Sequence, residues 1–127
     1  MDNITVRQLR FDFDNADQPC VWSQSSPEFS MFINALGLHV PYFERFLVQV
    51  MRQYRSELTD PALALDVQAL IGQEAHHAFN FLRWNQVLCT RYPALHRLEQ
   101  SAESYFQSAF EARSKQFKIG FTAGYET

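Results

Sequence analysis

The chain has 127 residues, enough for one domain around a single hydrophobic core. A formal net charge of −3 gives no basic footprint for nucleic acid or an anionic membrane surface, and no apolar run approaches the roughly 20 residues of a membrane span. Apolar residues make up 46%, with 12 Phe against only 4 Gly and 5 Pro, a balance that favours long helices over short strands and tight turns. The first residues lack the basic and then apolar pattern of a signal peptide. Cys20 and Cys89 have neither zinc-site spacing nor the density of a disulfide scaffold, so a cytoplasmic protein with reduced thiols is expected.

Residues 1–27 read as an irregular arm laid over the surface of a helical domain that occupies residues 28–127. Within the arm, residues 11–14 (Phe-Asp-Phe-Asp) read as a short extended piece and residues 15–27 as polar, turn-forming chain. The helical pattern then opens with Phe29, Phe32, Ile33, Leu36 and Val40 at three-four spacing. Pro41 either breaks this helix or sits at the first position of a renewed one over residues 41–58. Asp60 followed by Pro61 is a helix start, N-cap and first helical residue in turn. No breaker stronger than Gly72 follows until Tyr92 and Pro93, which predicts a helix about 45 Å long at 1.5 Å per residue. A third helical stretch starts near Ala94 and bends near Arg113 and Ser114. It ends in mid-pattern at Glu126 and Thr127 without a C-cap signal, so the chain reads as cut short. The expected fold is an all-α bundle of long helices.

Polar residues inside the apolar stripes carry the chemistry. The stripe of the second long helix is Leu63, Val67, Leu70, Ile71, Ala78, Phe81, Leu82 and Leu88, and at 100° per residue Glu74 and His77 fall within it. An ionised carboxylate on such a face is costly unless it is paired or ligates a metal. Glu and His at i and i+3 share one face, the arrangement used by carboxylate-bridged di-iron and di-manganese bundles. His76 falls on the wetter side with Gln73, Asn80 and Arg83, in solvent or behind the ligands. Glu44 sits in the stripe Phe43, Leu47, Val48 and Met51, and either pairs with Arg45, Arg52 or Arg55 or faces the same ion. Two buried carboxylates repel unless a cation lies between them. Glu126 follows Ile119, Thr122 and Ala123 at helical spacing, with Gly120 and Gly124 nearby, and is either a further ligand or a solvated terminus. Tyr125 and Tyr54 are possible donors beside the centre. Glu99, Glu103 and Glu111 read as surface charges, and His39 and His96 as structural.

These residues lie in segments that resemble a bacterial family of predicted metal-dependent hydrolases. The segments are 10–13 (Arg-Phe-Asp-Phe), 32–38 (Phe-Ile-Asn-Ala-Leu-Gly-Leu), 41–46 (Pro-Tyr-Phe-Glu-Arg-Phe), 71–77 (Ile-Gly-Gln-Glu-Ala-His-His) and 121–127 (Phe-Thr-Ala-Gly-Tyr-Glu-Thr). The resemblance implies a ferritin-like fold, of which this chain supplies three helices of a larger bundle. It also implies a divalent metal (iron, manganese or zinc) held by Glu44, Glu74, His77 and Glu126, with His76 and Tyr125 behind them. Family members are about twice this length, and the resemblance places a second Glu-x-x-His helix beyond residue 127.

Three functions compete on this basis. One is a metal-dependent hydrolase acting on a small molecule. Another is a di-iron oxidoreductase that activates oxygen, and the third is a helical interaction module whose buried acids pair with arginines. An open layer of helices exposes apolar surface, so a homodimer is expected.

Overall fold

The computed structural model describes residues 4–13 and 19–127. Part of the expected extended piece at 11–14 and of the turn-forming stretch at 15–27 therefore lies outside the described residues. All regular structure among the described residues is helical: α1 (Pro27–Gly37), α2 (Val40–Arg55), α3 (Pro61–Arg91), α4 (His96–Ala112) and α5 (Lys115–Glu126), with a 3₁₀ turn at Pro93–Leu95. The three long stretches expected from the sequence are thus five helices in an all-α bundle.

Each additional boundary has a local cause. Ser26 caps α1, its Oγ accepting from the Phe29 amide at 3.1 Å. The chain then turns at residues 37–39, and the Tyr42 and Phe43 amides restart a helix on the His39 carbonyl at 3.1 Å. Pro41 lies in the first turn of α2, where its missing N–H leaves no helical bond unmade. Asp60 caps α3 as expected, Oδ1 accepting from the Ala62 amide at 2.8 Å. The bend expected near Arg113 is a full break, because Ser114 caps α5 by accepting from the Phe117 amide at 3.1 Å.

Helix α2 is the centre of the molecule and packs on α3, α4 and α5. Its Phe43, Phe46, Leu47 and Val50 are fully buried with Phe106 of α4. The Phe46 ring lies 6.0 Å from Phe106, 6.0 Å from Phe110 and 5.7 Å from Phe121 between centroids, so one α2 side chain joins α4 and α5. At the other end of α1, Asn85 Nδ2 donates to the Gly37 carbonyl at 3.0 Å. A Cβ at Gly37 would come within 3.3 Å of the Phe81 ring, so glycine permits this close approach of α1 to α3.

Residues 4–13 lie along α3 in the same chain direction. Val6 stands over Gly72, where an added Cβ would lie 3.7 Å from its methyls. The Leu9 carbonyl accepts from His76 Nε2 at 2.8 Å, and the Phe11 carbonyl accepts from Arg83 Nη1 at 3.0 Å. With Asn80 Nδ2 also donating to the Leu9 carbonyl at 3.4 Å, three side chains of α3 satisfy the backbone of a segment that has no secondary structure of its own.

Candidate metal centre

Glu44 comes from the second turn of α2, and Glu74 and His77 from the middle of α3. Both carboxylates are buried, with 5% and 6% of their surface exposed. His77 Nδ1 lies 3.3 Å from Glu74 Oε2 and 3.7 Å from Glu44 Oε1. One ligand atom from each of the three residues falls within 4.8 Å of the others. Metal–ligand bonds of about 2.0–2.2 Å put neighbouring ligand atoms roughly 3.0–3.6 Å apart, so these separations suit the edges of a coordination shell.

The electrostatics are those of a site short of positive charge. Burial first, and then the charges of Glu74 and Glu126, raise the Glu44 pKa from 4.5 to about 8. Glu74 is also raised, first by burial and then by Glu126, with His77 opposing. The alternative of an arginine partner is not what the structure shows. Arg45 pairs instead with Glu103 at 3.8 Å, and among the described residues the ion pair of Glu44 is with His77. Glu44 Oε2 is buried with no hydrogen-bond partner among the described residues. An unpartnered oxygen on a buried carboxylate is a defect in a metal-free core and a ligand position in a metal site. The donor set fits a divalent cation.

The remaining candidates occupy different places. Glu126 ends α5 and stands outside the three-residue group, although its charge raises both buried acids. The Tyr125 ring stacks on Phe43 at 3.7 Å between centroids, and its hydroxyl lies 2.6 Å from His39 Nε2. His39 is therefore tied to the tyrosine beside Glu126. His76 faces away from the carboxylates and holds the N-terminal segment through Leu9. Tyr54 donates to the Lys115 carbonyl at 3.1 Å, a link between α2 and α5.

Two features escape the sequence reading. Glu99 is not a surface charge, since only 17% of its side chain is exposed. Its Oε2 lies 3.7 Å from both Cys89 Sγ and His96 Nδ1, so His96 has an acidic neighbour after all. The His96-x-x-Glu99 spacing repeats the i, i+3 relation that singles out Glu74 and His77. That signal was present in the sequence, but the approach of Cys89 from the end of α3 was not. The second feature is an open cavity of about 970 Å³ between the N-terminal segment, α1 and α3, with His77 on its wall.

Fold and site together define an all-α protein with a carboxylate–histidine cluster suited to a divalent metal. The family described as predicted metal-dependent hydrolase matches residues 5–127, and the chain belongs to it. No curated protein and no solved structure matches the chain.

Proposed function

We propose that the chain is the ligand-bearing part of a ferritin-like metalloenzyme that hydrolyses a small molecule. Glu44, Glu74 and His77 hold the ion, and Glu126 at the end of α5 completes the acidic side of a dinuclear centre. The observation that carries this reading is the buried Glu44–Glu74–His77 cluster with its unpartnered Glu44 Oε2. The family description supports hydrolysis as the reaction. A divalent ion bound there supplies Lewis acidity and lowers the pKa of water in its shell.

The residues of the chain divide the remaining work. Glu44 and Glu74 supply the negative charge that retains a cation in a buried place. His77, with 46% of its side chain exposed, is the member of the cluster that reaches the cavity. Phe81 and Trp84, one and two turns further along α3, line the same cavity and keep its wall apolar. Tyr125, held by His39 and Phe43, fixes the last turn of α5 and so the position of Glu126.

Elemental analysis of protein purified without chelator tests the proposal. Iron, manganese or zinc should co-purify and be lost in Glu74→Ala; metal-free wild type, or unchanged metal content in the variant, rules the site out. Zinc or manganese with no oxygen-dependent absorption supports hydrolysis. An oxo-bridged ferric spectrum would replace hydrolysis by oxygen chemistry at the same ligands. We further propose a homodimer, supported by the exposed Phe29, Met31 and Phe32 on α1; a monodisperse monomer in light scattering would exclude it.

A further inference from the structure

The cavity beside His77 has a polarity along its length. The parallel course of residues 4–13 on α3 orders its wall, with Val6 at Gly72, the Leu9 carbonyl at His76 and the Phe11 carbonyl at Arg83. Thr5 and Arg7 therefore flank α3 near Gln73 and His77, the end next to the carboxylates. Trp22, Phe13, Phe81 and Trp84 form the other end. From His77 to Trp84 is seven residues, about 10 Å along the helix.

Hydrogen-bonding capacity follows the same division. At the aromatic end it is spent internally: Asn34 Oδ1 accepts from Trp22 Nε1 at 3.2 Å and from Trp84 Nε1 at 3.0 Å, and Asn34 Nδ2 donates to the Cys20 carbonyl at 2.7 Å. Asn80 Nδ2 is likewise committed to the Leu9 and His76 carbonyls. With these N–H donors committed, a ligand meets a mainly apolar wall there. At the other end, Arg7 lines the cavity and makes no hydrogen bond or ion pair with any described residue. A mostly apolar cavity of this size with a few polar groups gathered at one end is the form of a small-molecule site.

We infer that this cavity binds a small apolar carboxylate, its ring or chain body against Trp22, Phe81 and Trp84 and its anionic head between Arg7, Gln73 and His77. The inference names the substrate class of the proposed metal centre and rests on that reading only for what happens at the head group. The carboxylate end meets the cationic side chain and lies nearest the metal ligands. The body replaces water on surfaces that offer it no hydrogen bonds.

The test is calorimetric titration of the whole protein, chelator-treated and manganese-loaded, with octanoate, 2-naphthoate and octanol. Octanoate against 2-naphthoate distinguishes a chain-shaped from a ring-shaped body. Trp22 and Trp84 are the two tryptophans of the chain and both line the cavity, so octanoate should also change intrinsic fluorescence saturably. At least one of the acids should bind about tenfold more tightly than octanol, the worth of one charge-assisted hydrogen bond. Arg7→Gln should abolish that preference while leaving octanol unchanged. Ile33→Phe, which narrows the cavity from α1, should weaken acid and alcohol alike, and Thr5→Phe does the same from the surface segment should Ile33→Phe misfold by circular dichroism. No saturable binding of either acid, equal affinity for octanol, or a preference that survives Arg7→Gln overturns the inference. Acid binding by chelator-treated protein that takes up no metal would reject the metal centre alone. Metal uptake without acid binding would reject the cavity assignment alone.

Discussion

Glu44 Oε1 on α2 and His77 Nδ1 on α3 lie 3.7 Å apart, thirty-three positions distant in the chain and on facing sides of the most extensively packed helix pair. That separation is too long for a good hydrogen bond and short enough for two ligands of one ion. The other oxygen of Glu44 has no partner among the described residues, so in metal-free protein Glu44 is a buried acid for which protonation is the cheapest remedy.

The stability of metal-free protein should therefore fall with rising pH. Glu44 titrates near 4.5 when unfolded and at about 8 when folded, so between these values the native state binds the extra proton. The stabilisation is fully present below about pH 4.5 and is lost as pH rises to about 8. Urea unfolding of chelator-treated protein at several pH values, compared with Glu44→Gln, isolates the effect because the variant lacks this titration. Parallel pH profiles in the two proteins would contradict it.

Glu44→Gln should separate stability from metal binding. Without metal at pH 8 the neutral amide no longer buries a charge, and Tm should rise by several degrees, equivalent to about 1–2 kcal/mol. Metal content should fall in the same variant. A variant less stable than wild type under chelation would show that the Glu44 charge is already compensated by protein groups.

Phe46→Ala tests the packing that carries α4 and α5. The side chain is 1% exposed and meets Phe106, Phe110 and Phe121. Its removal should cost about 3–5 kcal/mol in urea unfolding. It should also weaken metal retention on the proposed role of Glu126, which α5 carries.

Asn34→Ala should release the wall of the cavity. One side-chain oxygen accepts from both indoles, and the amide holds the Cys20 carbonyl. About 2 kcal/mol of stability should be lost as these groups are left unpaired, and tryptophan emission should shift to the red. Glu74→Ala should leave the emission spectrum of the metal-free protein unchanged, since it does not touch this network.

Much of the helical framework was legible in sequence because it rests on local chemistry. Asp60 and Pro61 announce α3, Tyr92 and Pro93 end it, and a 3.6-residue period places Glu74 among apolar neighbours whatever the rest of the chain does. The break at Ser114 was visible only as a bend, since a serine caps a helix when its geometry allows and is otherwise an ordinary surface residue. Glu99 misled for a related reason. Its own helix is largely exposed, and its shelter comes from Cys89 of α3 and Tyr42 of α2, whose phenol is raised by burial and by that carboxylate.

The sequence by itself determined the class of fold, the candidate acids and the pairing of Glu74 with His77, because each depends on spacing within one helix. Only the tertiary structure decided that Glu44 faces that pair rather than an arginine, that the charge of Glu126 bears on both acids, and that His76 holds the N-terminal segment. These relations join residues from different elements. They follow from the docking of α2 and α5 and of residues 4–13 around α3, which is set by the summed burial of many side chains and leaves no mark at any single position.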